Sequence, residues 1–356
     1  ERFLPELTAS GLYIGQVVHP KSILDIQPTH LFLNRPFRKE DVLYLRYLHR
    51  LQYLNTSKSD LFNEIVDITC LARLKSLVVA DYEMNSSSVK VLGQSLKYFT
   101  QLTKLEIECE HLSDVLPTLA PFLRDLTALR HLKLGDNASK LNRNGIRKVV
   151  SHISTLTQLR HLFFGGLVDG RDEGCVKALC ELISSLPYLT SLRLPWNDFT
   201  AKLIQKVCEV ILSQLSELTY LDLSGSTLDE LSMNKLGKVV MNLSIPHLEL
   251  RDTTWSNITW VYSGFDGLIA HFEHWSHLAA LNLFNHLAKI SKAEATELAR
   301  ELIKLKSLML LDITCCHPDD YQTLLAPLKS LPLQVLFLRA PKASKPTLNE
   351  AFTSKR

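Results

Sequence analysis

The sequence predicts an α/β solenoid, with short parallel strands lining a concave face and helices on the convex face. Three observations predict it. Leucines recur as Leu-x-x-Leu-x-x-Leu-x-Leu, in the stretch from Leu126 to Asn137 and again from Leu156 to Phe164. The run closes on an asparagine at Asn137 and at Asn197. Between leucine runs lie segments whose apolar residues fall at helical spacing. Alternate side chains of the Leu-x-Leu core point into one interior, which makes that core a strand.

Taking the first leucine of each strand core gives candidate strands at Leu31, Leu54, Leu77, Leu105, Leu132, Leu162, Leu192, Leu221, Leu248, Leu281, Leu311 and Leu336. Their mean spacing is about 28 residues, at the long end of the ~20–29 usual for such repeats and enough for a full helix after each strand. Helices are expected over Ser88–Phe99, Leu112–Leu126, Asn144–Leu156, Glu173–Leu186, Ala201–Leu215, Leu228–Leu243, Ala293–Leu305 and Asp319–Leu331. Ser113, Asp172, Thr200, Asp229 and Ser291 stand where a short side-chain oxygen accepts from a free amide at a helix start.

Repeats of this spelling resemble the leucine-rich repeat family, and at this length its ribonuclease-inhibitor subclass, over residues 29–341 or about twelve repeats. The resemblance implies a right-handed horseshoe. Strands ~4.8 Å apart set against helices ~8–10 Å apart bend the stack by very roughly 20° per repeat. Residues 1–28, with Pro5 and Pro20, are expected to form an amino-terminal cap, and residues 342–356 a polar, basic tail. The asparagine position is loosely kept: outside Asn137 and Asn197 it holds Pro36, Ser59, Tyr82, Glu110, Leu167, Ser226, Thr253, His286, Cys316 or Pro341. Repeats this loose resemble the ribonuclease-inhibitor-type proteins that intracellular bacteria deliver into host cells. The repeat at Leu248 is irregular, and the insert from Thr253 to Gly267 is expected to kink or protrude.

Composition bounds the function. With 46% hydrophobic and 22% charged residues, the chain reads as folded and soluble. A net charge of +3 over 356 residues gives no broad case for nucleic acid or an anionic membrane. No apolar run reaches the ~18–20 residues of a membrane helix. The start, Glu1-Arg-Phe-Leu-Pro, shows no signal peptide, and a chain lacking an initiating methionine is expected to be a processed or trimmed piece. Seven scattered cysteines fit reduced thiols in a cytoplasmic compartment better than a disulfide framework. Sequons occur at Asn55, Asn85, Asn137, Asn242 and Asn257 and are taken as chance matches.

Stacking strands turns outward residues into columns. One column precedes each core leucine: His30, Tyr53, Ser76, Lys104, His131, His161, Ser191, Tyr220 and His247. The other lies between the leucines: Phe32, Asn55, Val78, Glu106, Lys133, Phe163, Arg193, Asp222, Glu249, Asn282, Asp312 and Phe337. The middle repeats bring together His131, Lys133, His161, Phe163, Arg193 and Trp196, followed by Tyr220 and Asp222, then His247, Glu249 and Asp252. Aromatics and arginine are enriched in interface hot spots. A basic-aromatic patch beside an acidic one orients a partner with the complementary dipole. Exposed Phe163 and Trp196 have no evident stabilising reason to face the hollow.

Other chemistry is weakly signalled. His271-x-x-His274-x-x-His277 is the one metal-like spacing, but steps of three splay ligands around a helix, so no metal is expected. Adjacent Cys315 and Cys316 read as core, as do Cys175 and Cys180 on one helix. Gly165-Gly166-Leu-Val-Asp-Gly170 lacks the lysine of a phosphate loop, and no Gly-x-Ser-x-Gly or His-Glu-x-x-His occurs. No cofactor is expected.

The reading is therefore a non-catalytic, monomeric interaction protein that binds a protein partner, not nucleic acid or membrane, across its concave sheet. The resemblance adds a bacterial effector acting on a host protein in the host cytosol. Two alternatives stay open: the substrate-recognition part of an enzyme such as a ubiquitin ligase, and the ligand-sensing region of an innate immune receptor.

Overall fold

The structure is a computed structural model that describes residues 11–14, 27–33, 45, 47–56, 71–80, 86–135, 139–251, 254–255, 272–283, 292–313 and 321–337. Two compact units divide the chain, residues 1–222 and 223–356. Each is a run of leucine-rich repeats: a short strand, a turn, a helix and a return.

In the first unit the strands are β1 (Gly11–Ile14), β2 (His30–Leu33), β3 (Tyr53–Asn55), β4 (Ser76–Ala80), β5 (Lys104–Glu108), β6 (His131–Gly135), β7 (His161–Gly165), β8 (Ser191–Arg193) and β9 (Tyr220–Asp222). They lie in one parallel sheet in sequence order. The register is the leucine register: Leu31, Leu54, Leu77, Leu105, Leu132, Leu162, Leu192 and Leu221 stand opposite one another strand by strand. All eight are at most 1% exposed, each worth about 1.5–3 kcal/mol of burial. A one-residue slip would turn the whole leucine row to solvent, so the row fixes the pairing. β1 falls inside the segment expected as a cap and adds a strand, with Leu12 opposite Leu31.

The helices of this unit are α1 (Ser86–Leu96), α2 (Leu112–Leu123), α3 (Arg143–Ile153), α4 (Glu173–Ser184) and α5 (Ala201–Gln214), each packed on the next. They end two or three residues before the expected carboxyl ends, except α5, one residue short. The reason is a return turn in steps of three. Leu126 N–H donates to the Leu123 carbonyl at 3.0 Å and Leu129 N–H to the Leu126 carbonyl at 2.9 Å; Leu156 and Leu159 repeat the pattern at 2.9 and 3.0 Å. These leucines continue the apolar stripe in a tighter winding that leads straight into the next strand. Helical periodicity alone does not separate the two.

Caps follow the expectation in part. Asp172 accepts from the Cys175 amide at 3.0 Å. Thr200 holds the cap position of α5 without a side-chain bond. Ser113 is not a cap: the cap of α2 is His111, left-handed at φ 60°, and Ser113 is buried inside the helix against Ser139. Asn142, which the sequence reading passed over, caps α3 through Gly145 N–H at 2.8 Å.

The second unit has β11 (His247–Glu249), β13 (Ala280–Asn282), β14 (Leu310–Asp312) and β15 (Val335–Phe337), parallel, with Leu248, Leu281, Leu311 and Leu336 again in register. A separate parallel pair joins β10 (Thr227–Leu228) to β12 (Thr254–Trp255). Its helices are α6 (Glu230–Leu243), α7 (Lys292–Leu302) and α8 (Tyr321–Leu328). Asp229 closes a capping box with Ser232 on α6. The irregularity before Leu248 is real: α6 stops at Ser244, left-handed at φ 50°, and Ile245 replaces the leucine return. Farther on, Phe272 and Trp275 take the places of leucines in the steps of three, both fully buried, with Trp275 Nε1–H on the Gly237 carbonyl at 3.3 Å.

Asn137, Asp252, His271, Ser291, Cys70, Cys315, Cys316 and the tail 342–356 lie outside the described residues, as does the insert apart from Thr254 and Trp255. Among the described residues, no helix is long and apolar enough to cross a membrane.

Candidate functional site

The face of the first unit's sheet opposite the leucines carries the candidate site. Pairing sets Lys133 against Phe163, Phe163 against Arg193 and Arg193 against Asp222 on four successive strands. Strands ~4.8 Å apart place such neighbours at contact distance. Along the column from β5 to β9 the residues read Glu106, Lys133, Phe163, Arg193, Asp222. An aromatic ring is flanked by two cations, and the cations by two carboxylates.

The side chains use this order. Lys133 Nζ stands 5.0 Å from the Phe163 ring centre, and the Arg193 guanidinium 5.3 Å from it on the other side. Arg193 also lies 5.2 Å from the Tyr220 ring and pairs with Asp222 at 3.3 Å. The result is a ladder of alternating cations and rings, Lys133–Phe163–Arg193–Tyr220. Each contact is worth about 0.5–1 kcal/mol where partly exposed. Asp222 is only 2% exposed, so Arg193 stands over a carboxylate at the floor of the face.

Phe163 has a seat that the sequence did not reveal. A Cβ at Gly165 would lie 2.6 Å from the Phe163 ring, and one at Gly135 would lie 3.4 Å from it. Two glycines side by side on β6 and β7 therefore admit the ring against the backbone. The ring is half-buried for a packing reason, which corrects the expectation that nothing stabilises it there. Trp196 is not on a strand. It follows β8 in a left-handed conformation, φ 60°, and is 43% exposed. Next to it the buried Asn197 accepts from Val168 N–H at 2.7 Å and donates to the carbonyls of Phe164 at 2.7 Å and Leu194 at 3.1 Å. The side chain of Asn197 thus fastens one turn to the preceding repeat and holds the Trp196 turn in place.

The second column brings His131 and His161 together, ring centres 5.6 Å apart. His131 Nε2 lies 3.0 Å from Glu106 Oε1, and Lys104 Nζ lies 2.9 Å from the same carboxylate. Contact with His131, then Lys104, holds the Glu106 carboxyl down at about 2. Burial, then the neighbouring His131, pushes His161 below its ordinary value. Glu106 ionises more readily folded than unfolded, so it adds stability above pH ~4.5 that is lost as the pH falls toward 2. The shift sets a ceiling of about 3 kcal/mol, and partial solvation brings it nearer about 1 kcal/mol. Urea midpoints of wild type and Glu106→Gln should differ at pH 6 and draw together as the pH is lowered to 2.5; a gap independent of pH would refute the assignment.

The structure thus brings together His131, Lys133, His161, Phe163, Arg193, Tyr220 and Asp222, with Trp196 at their edge. His247, exposed, and Glu249, half-buried, lie on β11 in the second unit, opposite Ala280 and Asn282. Three participants were missed as site residues. Glu106 and Glu108 anchor the cations, with Lys133 Nζ on Glu108 at 2.6 Å, and Glu110 stands just beyond. The register offered a signal: Glu108, Gly135 and Gly165 share one row. A second aromatic group sits on β2 and β3, where the Tyr53 ring lies 5.5 Å from His30 and 5.0 Å from Phe32.

Burial pushes the Cys175 and Cys180 thiols up to about 11, and Cys109 and Cys208 are buried. Of the histidine triplet, His274 contacts Glu273 at 3.4 Å and His277 Nε2–H donates to the Val240 carbonyl at 3.1 Å, so the two are committed separately. No metal-binding cluster of His, Cys, Asp and Glu occurs among the described residues.

No family model matches the chain, and no curated protein does. Among solved structures it is similar to an internalin, inlF of Listeria monocytogenes, at 17% identity, covering 84% of this chain and 88% of that one, with a TM-score of 0.42. It is also similar to the protein in a TLR13–ssRNA13 complex, at 17% identity over 94% of this chain and 47% of that one, TM-score 0.45. At these scores the superpositions are loose, and the fold is read from the strand register.

Proposed function

We propose that the β6–β9 face is a protein-binding surface and that the chain works as a non-catalytic scaffold. The observation that carries this reading is the Lys133–Phe163–Arg193–Tyr220 ladder. Its rings and guanidinium are already ordered by their neighbours, so docking immobilises few further rotamers. These are also the residue types that dominate hot spots, and the carboxylates around them supply a polar rim.

The finer reading is a ribonuclease-inhibitor-like bacterial effector that acts as a monomer on a host protein in the cytosol. It is supported by the looseness of the asparagine position, where Asn197 keeps the full set of bonds while Leu167 and Ser226 fill equivalent places as buried residues.

Affinity capture from host-cell lysate tests both parts. Wild type should retain a protein that Phe163→Ala loses by at least tenfold and that Phe163→Ala with Arg193→Glu loses entirely, thermal melts confirming that each variant is folded. Retention of the same proteins by all three would overturn the assignment of this face.

A further inference from the structure

Where the ladder meets the turns after the strands, the first unit has a cleft of about 300 Å³, lined by Ala80, Glu108, Cys109, Glu110, Gly135, Phe163, Gly165 and Trp196. At ~30 Å³ per water this is room for roughly ten waters, enough for one long side chain. Two aromatic rings, Phe163 and Trp196, contribute to its walls. Gly135 and Gly165 also line it, and because neither has a Cβ the Phe163 ring lies flat against the backbone there and forms a fixed wall. Two carboxylates, Glu108 and Glu110, stand at its rim and both are exposed.

The charge is not balanced. Lys133 pairs with Glu108, whereas Glu110 has no ion-pair partner among the described residues. With Lys133 counted, the cleft keeps one net negative charge. Lys133 also shows what the surroundings favour: its ammonium sits both on a carboxylate and near the Phe163 ring. Aromatic faces attract cations through the ring quadrupole, and a neighbouring carboxylate adds a charge-assisted hydrogen bond. Neither feature rewards a neutral or anionic occupant.

We propose that this cleft receives one cationic side chain, lysine or arginine, of the protein partner. The proposal rests on the reading that this face binds protein, and it names the chemistry of the residue that anchors there. The cation enters between Phe163 and Trp196 and places its charge against Glu110.

The test uses the whole chain labelled with 5-fluorotryptophan. Of the four tryptophan resonances, the one lost in Trp196→Phe is that of Trp196. Short capped peptides Gly-Lys-Gly and Gly-Arg-Gly serve as probes, with Gly-(Nε-acetyl-Lys)-Gly as the neutral control. The expected result is a saturable millimolar shift of the Trp196 resonance with at least one cationic peptide and none with the acetylated one. Glu110→Gln, at an exposed position, should weaken it fivefold or more. No response to either cation, an equal response to the acetylated peptide, or an unchanged response in Glu110→Gln would each overturn the proposal. Partner capture lost in Phe163→Ala but kept in Glu110→Gln would reject the cleft while leaving the binding face standing.

Discussion

Asn197→Ala is expected to destabilise the first unit by about 3 kcal/mol, read as a fall in the urea midpoint with little change in slope. The side chain is fully buried and makes three hydrogen bonds to backbone, one accepted and two donated. Alanine removes all three partners at once and leaves the Val168 amide and the Phe164 and Leu194 carbonyls short of a bond in a dry interior. An unmet buried polar group costs about 1–3 kcal/mol, and the local backbone relaxes to recover part of that. Asn197→Asp makes the comparison sharper. It keeps the acceptor for Val168 but turns the donor into a second oxygen facing two carbonyls, so it should be no better than alanine. A loss under about 1 kcal/mol in both variants would mean that the turn is held by Gly170 N–H on the Asn197 carbonyl at 2.8 Å, and not by the side chain.

Asn197 also shows what the sequence could convey. An asparagine after Leu-x-Leu can be placed from spacing, because its role is to bond backbone at a fixed offset from the strand. The leucine register was legible for the same reason: a period of two inside each strand and about 28 between strands leaves one pairing that buries every leucine. Helix starts at Asp172 and Asp229 were legible as short side-chain acceptors before an apolar run. Helix ends were not, since Leu123, Leu126 and Leu129 continue one stripe while the winding tightens beneath them. Ser113 misled because a hydroxyl near a helix start can cap it or, as here, turn inward to Ser139.

The site was half legible. Alternation put Lys133, Phe163, Arg193 and Asp222 in one column, and a column of that composition reads as a binding face. The tilt of Phe163 over Gly135 and Gly165 depends on a rotamer, which periodicity does not encode. Trp196 left the strand because Pro195 precedes it and its own φ is positive. Glu108 and Glu110 became relevant only once the turns after the strands had a definite geometry. Pattern thus fixes which residues share a row; the rotamers decide which of them meet.

Arg193 is where this distinction has its largest energetic consequence. Arg193→Glu is expected to cost about 2 kcal/mol of stability, below the range for breaking a fully buried pair because Asp222 is buried while the Arg193 side chain is partly exposed. The substitution removes the cation from between Phe163 and Tyr220 and sets a second carboxylate beside the buried Asp222. Arg193→Lys separates charge from shape. Lysine keeps the positive charge for Asp222 but lacks the flat guanidinium that lies near two rings at once, so it should recover about half of the loss. A double-mutant cycle of Arg193→Lys with Phe163→Leu then isolates the ring contact, with a coupling of about 0.5–1 kcal/mol. That coupling should persist at 0.5 M salt, since a cation near a half-buried ring is screened less than a surface ion pair. Were lysine to restore full stability and the coupling to vanish, Arg193 would be serving Asp222 alone. The ladder would then be a row of neighbours rather than a braced surface, and the reading of this face as preorganised for a partner would lose its physical basis.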